Sequence, residues 1–237
     1  FRAWEDNWLA RRDPKLWPKI GEFCKDNDIA LGVSVITVGH GIDFTNAGKN
    51  DLAKLSADLQ KGVALAKATG QTCMTFIPGA RNAAPLEEQV KKSVGTMNHL
   101  CDIVEDSGII LVQEPVSHKM AGKAPLLRSF ADGHLLCKAV NRKSCKLLAD
   151  FYHEGEIGNG DKLSENAEAV WDQVAYVQFG DSPGRKQPGT GKLDLGAVAK
   201  WLRAKNYTGV IGMEHGVKGK GTEGLEALIK SYREIDV

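Results

Sequence analysis

The chain has 237 residues, 42% hydrophobic and 26% charged, enough for one large α/β domain or two small ones with a sizeable core. Its 31 basic and 30 acidic residues leave a net charge of +1, so nothing advertises a nucleic-acid partner or an anionic membrane surface. No apolar run is long enough for a transmembrane helix, and five cysteines (Cys24, Cys73, Cys101, Cys137, Cys145) without a C-x-x-C read as reduced thiols. A cytoplasmic setting is the expectation. There is no signal-peptide pattern, although a chain that opens on Phe1 leaves an upstream leader open.

Phe1 to Asn7 (FRAWEDN) reads as a strand running into a loop. Asp13-Pro14 then opens a helix to about Asn27, with Leu16, Trp17, Ile20 and Phe23 at helical spacing. Ile29 to Val38 is a buried, β-branched strand, and 40–50 a loop. Asp51 to Thr69 is a helix closed by Gly70. Thr72 to Ile77 is a strand, Pro85 to Asp106 a long amphipathic helix, and Ile109 to Gln113 a strand that ends on Glu114-Pro115. After a polar loop to about Arg128, Gly133 to Asn141 is a short helix, and Cys145 to Ala149 a strand ending on Asp150. Residues 154–162 read as a loop, and Ser164 as the cap of a helix through Gln173. A strand ending on Gln178 follows, then a mobile-looking Gly/Pro loop with Arg185, a helix, a strand ending on Glu214 and a last helix from about Thr222 to Arg233.

Strands that alternate with helices argue for a parallel sheet with crossover helices. No composition break divides residues 1–237, which read as one domain. An open flavodoxin- or Rossmann-like sheet is the alternative to a closed barrel, but no G-x-G-x-x-G follows any strand. The expectation is therefore a (β/α)8 TIM barrel. Seven strands are legible and eight are needed, so its first strand and helix are expected to lie upstream of Phe1.

Four strands end on oxygen donors: Glu114, Asp150, Gln178 and Glu214. The steps between them, 36, 28 and 36 residues, are each about one βα unit, so all four would face one mouth of a parallel barrel. Period two turns Ile110 and Val112 the same way as Glu114, and Tyr176 the same way as Gln178. Converging carboxylates repel and raise one another's pKa unless a cation relieves them, and an oxygen-only set suits Mg2+ or Mn2+ better than Zn2+. The bland alternative is that acidic strand ends solvate loops or cap helices. His153, three residues past Asp150, is a candidate for substrate or metal, or a plain loop histidine. Arg185 is a candidate clamp for a substrate carboxylate, or a solvated loop arginine. His40, His118 and His215 also lie just beyond strand ends and read as peripheral.

From Ile109 onward the motifs LVQEPV, LLADFYHEGEIGNG, YVQFGDSPGRKQPGTGKLDL and YTGVIGMEHG resemble successive strand-end motifs of the xylose isomerase-like barrels, and within them hydroxypyruvate isomerase. From Pro14 to Gly79 the likeness is one of element order only, and FRAWED is similar to the second barrel strand. The resemblance implies a divalent metal on Glu114, Asp150, Gln178 and Glu214. It implies that Glu114 and Glu214 exchange the proton, and that His153 and Arg185 contact substrate. Two departures stand out: Lys192 follows Gly191 where the family commonly has Glu, and EPVSHKM carries Met120 where sugar 3-epimerases tend to have a glutamate.

The implied reaction is aldose–ketose interconversion of a small hydroxy-keto acid or sugar through an enediolate, with hydroxypyruvate to tartronate semialdehyde the leading case and a homodimer left open. The rivals are an epimerase or inosose-type dehydratase on the same fold, an endonuclease IV-like phosphodiesterase, and a non-catalytic barrel that binds a sugar acid. The phosphodiesterase wants a histidine-rich zinc cluster and a basic face that this chain lacks.

Overall fold

The computed structural model describes residues 1–38, 41–79, 81–120 and 122–236. Strand and helix alternate as β1 (Ala3–Trp4), α1 (Trp17–Asp26), β2 (Ala30–Leu31), β3 (Val35–Val38), α2 (Lys49–Thr69), β4 (Cys73–Ile77), α3 (Leu86–Val104), β5 (Ile110–Gln113), α4 (Phe130–Val140) and β6 (Cys145–Asp150). The short α5 (Phe151–Glu154), α6 (Leu163–Val170), β7 (Val174–Phe179), α7 (Leu195–Ala204), β8 (Ile211–Met213) and α8 (Gly221–Ile235) follow. β3 to β8 form one six-stranded sheet in chain order, every neighbouring pair parallel, and β1 pairs in parallel with β2. This is the α/β architecture of a TIM barrel, with helices covering the outside of a curled parallel sheet.

Two apolar layers follow from strand alternation. The outward side chains, among them Phe76, Leu111, Leu147 and Val177, pack under the helices against Leu59, Met97, Leu100 and Leu136. Val33, Val112, Leu148 and Tyr176 form a separate inner cluster. Each of the last three stands two residues before a polar one (Glu114, Asp150, Gln178), so period two lifts those groups above an apolar floor on the same inner face.

The expected strand from Ile29 to Val38 is interrupted. Its first part pairs with β1 and its second with β4, so the chain changes partner across residues 32–34. The α1 stripe is also rotated from the expected one. Trp17 and Cys24 are buried, while Leu16 and Phe23 are 43% and 56% exposed, because the helix turns its 17/24 face to the core.

Residues 154–162 are not simply a loop, since α5 runs on into a π-type turn over Gly155–Asn159. Ser164 lies inside α6 rather than at its cap; that position is Lys162. Ser129 caps α4, accepting from Asp132 N at 3.1 Å, which starts that helix three residues before Gly133. All five cysteines are free thiols, four of them buried. No described helix is long and apolar enough to cross a membrane.

Candidate active site

Each expected strand-end group is held by its own strand. Glu114 directly follows β5, where its N–H donates to Phe76 O of β4 at 3.0 Å. Asp150 ends β6 and also caps α5, its Oδ1 accepting from Tyr152 N at 2.9 Å. That cap turns the chain so that His153 comes back over the sheet. Gln178 lies in β7 in register with Asp150, and Glu214 directly follows β8.

The geometry brings Glu114 and Asp150 together with His153, while Glu214 joins them through Arg185. Ligand atoms of Glu114, Asp150 and His153 all lie within 4.8 Å of one another, and all three side chains are buried. His153 Nε2 is 3.5 Å from Glu114 Oε1 and 3.6 Å from Asp150 Oδ2. Ser117 N–H donates to His153 Nδ1 at 3.3 Å, which leaves the neutral ring's proton on Nε2, facing the carboxylates. Arg185 Nη2 bridges two of the acids, 2.8 Å from Asp150 Oδ2 and 3.0 Å from Glu214 Oε2, while its Nε donates to Glu214 O at 2.9 Å. The guanidinium also lies 4.8 Å from the centre of the Tyr152 ring.

The loop carrying Arg185 is tied down, contrary to its mobile look in sequence. Asp181, fully buried, accepts from the backbone N–H groups of Thr190, Gly191 and Leu193 at 3.0, 2.8 and 3.1 Å. Arg185 sits there with φ 49, and its carbonyl accepts from Gly216 N at 2.9 Å. Lys192 is exposed on the same loop.

Three contributors escaped sequence reading: Glu5, Asn7 and Ser117. Tyr176 OH donates to Glu5 Oε2 at 2.7 Å and Gln178 Nε2 to Glu5 Oε1 at 3.0 Å. Asn7 Nδ2 donates to Glu214 Oε1 at 3.0 Å. The missed signal was the same rule applied once more, because Glu5 directly follows β1 just as Glu114 follows β5. Of the peripheral histidines, His118 places its ring 5.4 Å from that of His153. His215 hydrogen-bonds Tyr232 OH at 2.7 Å through Nε2 and stacks on its ring. His40 lies outside the described residues.

Four acids, Glu5, Glu114, Asp150 and Glu214, share this space with one guanidinium. At an effective dielectric of about 20, two like charges 4 Å apart cost roughly 4 kcal/mol, so the group resists full ionisation. Burial, followed by the Asp150 charge, pushes Glu114 up to about 8. Burial also pushes Glu5 up to about 7, and lifts Glu214 well above the carboxylate range with Glu114 and Asp150 adding to it. Burial holds His153 below its ordinary value and thus neutral. For Arg185 burial opposes the charge, but Asp150, Glu214 and Glu114 outweigh it and move its pKa up.

A divalent cation fits this donor set. The carboxyl oxygens of Glu114, Asp150 and Glu214 are crowded, and a cation would let them ionise together. Gln178 is fully buried, and its Oε1 has no hydrogen-bond partner among the described residues. Glu214 Oε2 likewise accepts no well-directed hydrogen bond, despite Arg185 nearby. Buried acceptors left open in this way are costly, and a hard cation would satisfy both.

Comparison with known proteins agrees with the fold. The hydroxypyruvate isomerase of Escherichia coli is 25% identical over 162 residues, covering 63% of this chain and 57% of that protein. The D-psicose 3-epimerase of Agrobacterium fabrum is 27% identical over 144 residues, covering 61% and 47%. The chain thus spans about half the length of these curated relatives. Among solved structures, a D-psicose 3-epimerase studied in the presence of D-fructose superposes with a TM-score of 0.74 at 21% identity, covering 98% of this chain and 80% of that one. The family profile described as xylose isomerase-like TIM barrel matches residues 1–235, and the chain belongs to that family.

Proposed function

We propose that the protein is a metal-dependent aldose–ketose isomerase whose substrate is a small hydroxy-keto acid, with hydroxypyruvate the leading candidate. One observation carries this reading: Glu114 and Asp150 crowd together with His153 at the carboxyl ends of successive parallel strands, with Glu214 joined to Asp150 through Arg185 and Gln178 Oε1 left unpartnered beside Asp150 in register. Glu114, Asp150, Gln178 and Glu214 would hold the ion, Mg2+ or Mn2+ by the hardness of the donors. When bound, such an ion polarises a carbonyl and makes the neighbouring C–H more acidic.

The chain's own groups account for the rest. Glu114 and Glu214, on β5 and β8, exchange the proton: one takes it from C3 of hydroxypyruvate and one returns a proton at C2, giving tartronate semialdehyde. His153 offers its Nε2–H to a substrate oxygen, fixed in that tautomer by Ser117. Arg185 uses Nε and Nη2 on Glu214 and Asp150. Its Nη1, without a hydrogen bond among the described residues, is the edge left for a substrate carboxylate.

Epimerisation of a ketose is the second reading, because the psicose epimerase relative matches at comparable identity and the first proton abstraction is the same. Proton NMR of hydroxypyruvate in D2O separates the two. Metal-stripped protein is compared before and after Mg2+ or a trace of Mn2+. Metal-dependent loss of the C3 proton signal with growth of tartronate semialdehyde supports the isomerase. Exchange without that product turns the search to ketoses, and no exchange with any metal in folded protein overturns the hydroxypyruvate isomerase reading.

A further inference from the structure

We infer that Glu5 is a positioning residue that sets which face of the Gln178 carboxamide looks into the site. This rests on the reading of Gln178 as a metal donor and deepens it. Gln178 has two chemically opposite ends, and only Oε1 can donate electrons to a cation. Its Nε2 donates to Glu5 Oε1 at 3.0 Å, while Oε1 is left without a partner in a fully buried side chain. Both Glu5 oxygens act as acceptors here, so the one facing Gln178 selects the amide's N–H end.

Glu5 is itself fixed. Its second oxygen accepts from Tyr176 OH at 2.7 Å, and that hydroxyl in turn accepts from Val33 N at 3.3 Å. The space around it is shaped by two glycines. A Cβ at Gly32 would collide with Tyr176 OH and come within 3.2 Å of Glu5 Cβ. A Cβ at Gly212 on β8 would collide with Glu5 Oε2 and come within 3.0 Å of Gln178 Cγ. Neither glycine has a positive φ, so both serve close approach rather than a turn. Three separate parts of the barrel wall, 32–33, β7 and β8, are thus shaped to hold one carboxylate behind Gln178. Groups of this kind behind a ligand typically change metal affinity 10–100-fold when removed.

The test is Mn2+ titration of EDTA-stripped full chain, followed by the EPR signal of free Mn2+. Glu5→Leu should weaken Kd about 10–100-fold. Glu5→Gln should stay within about threefold of wild type, since its Oε1 still accepts from Gln178 Nε2. In a Gln178→Ala background, Glu5→Leu should add nothing. A Glu5→Leu protein that binds Mn2+ like wild type, or that weakens binding equally with and without Gln178, overturns the inference and leaves the metal site standing. Wild-type protein that fails to bind Mn2+, or Gln178→Ala that binds unchanged, overturns the metal assignment and this inference with it. If Glu5→Leu does not fold, Tyr176→Phe carries the same test: about threefold weakening supports the strut and none overturns it.

Discussion

The chain buries two kinds of carboxylate within a few residues of each other. Asp181 receives three backbone N–H groups, and Glu154 accepts from Phe130 N, Asn159 Nδ2 and Asn166 Nδ2 at 2.9, 2.7 and 2.8 Å. Both are closed by fixed donors and serve the fold. Glu114 and Asp150 are just as enclosed, and Glu214 is partly exposed beside them, yet these acids face one another, one guanidinium and a neutral histidine. Satisfied acids stabilise a loop. Crowded acids store repulsion that a cation or a proton can relieve, and that is what a reactive site requires.

The sharpest way to break this comparison is at Glu214. Glu214→Gln keeps an oxygen for Asn7 but cannot accept the proton, and kcat should fall by about 10²–10⁴ in a coupled assay on hydroxypyruvate. Near-normal turnover would place Glu214 with the structural acids.

Next comes a reciprocal pair. Asp181→Ala strands three backbone donors and should cost on the order of 3–5 kcal/mol, read as a drop of about 10 °C in Tm. Asp150→Asn retains an oxygen for the α5 cap and should shift stability by about 1 kcal/mol or less while abolishing Mn2+ binding by calorimetry. If the two variants exchanged these effects, the distinction between the two kinds of acid would collapse.

The last test is pH. Glu114 and Glu5 hold protons in the fold up to about 8 and about 7, above the ordinary carboxylate value of 4.5. Their stabilising contribution is full below that ordinary value and is lost as pH rises through 7 to 8. Tm of the protein in EDTA should therefore decline between pH 5 and 9, and excess Mg2+ should flatten the decline. A Tm that rises over this range would contradict the crowding of the acids.

Much of the barrel was legible because period-two and helical patterns are local. Glu114, Asp150, Gln178 and Glu214 could be picked out because one βα unit has a nearly constant length, which turns sequence spacing into a shared mouth. The stripe of α1 was misjudged because Leu16 and Phe23 obey the same periodicity as Trp17 and Cys24, and only the neighbouring elements decide which face is covered. Glu5 was passed over because its partners, Tyr176 and Gln178, lie 171 and 173 residues away. The Arg185 loop looked mobile from its glycines because the anchor is a side chain, Asp181, whose three bonds form only once the loop has closed.

The amino-acid sequence by itself determined the alternation of strands and helices, the parallel sheet and the four strand ends that carry oxygen donors. Only the tertiary structure decided which buried acids are satisfied and which are crowded. Asp150 and Glu154, or Gln178 and Asp181, are near neighbours in the chain but differ in the donors that distant segments bring to them. Hydrogen bonds and Coulomb energies depend on distance in space, and that distance is set by how the curled sheet and its loops pack.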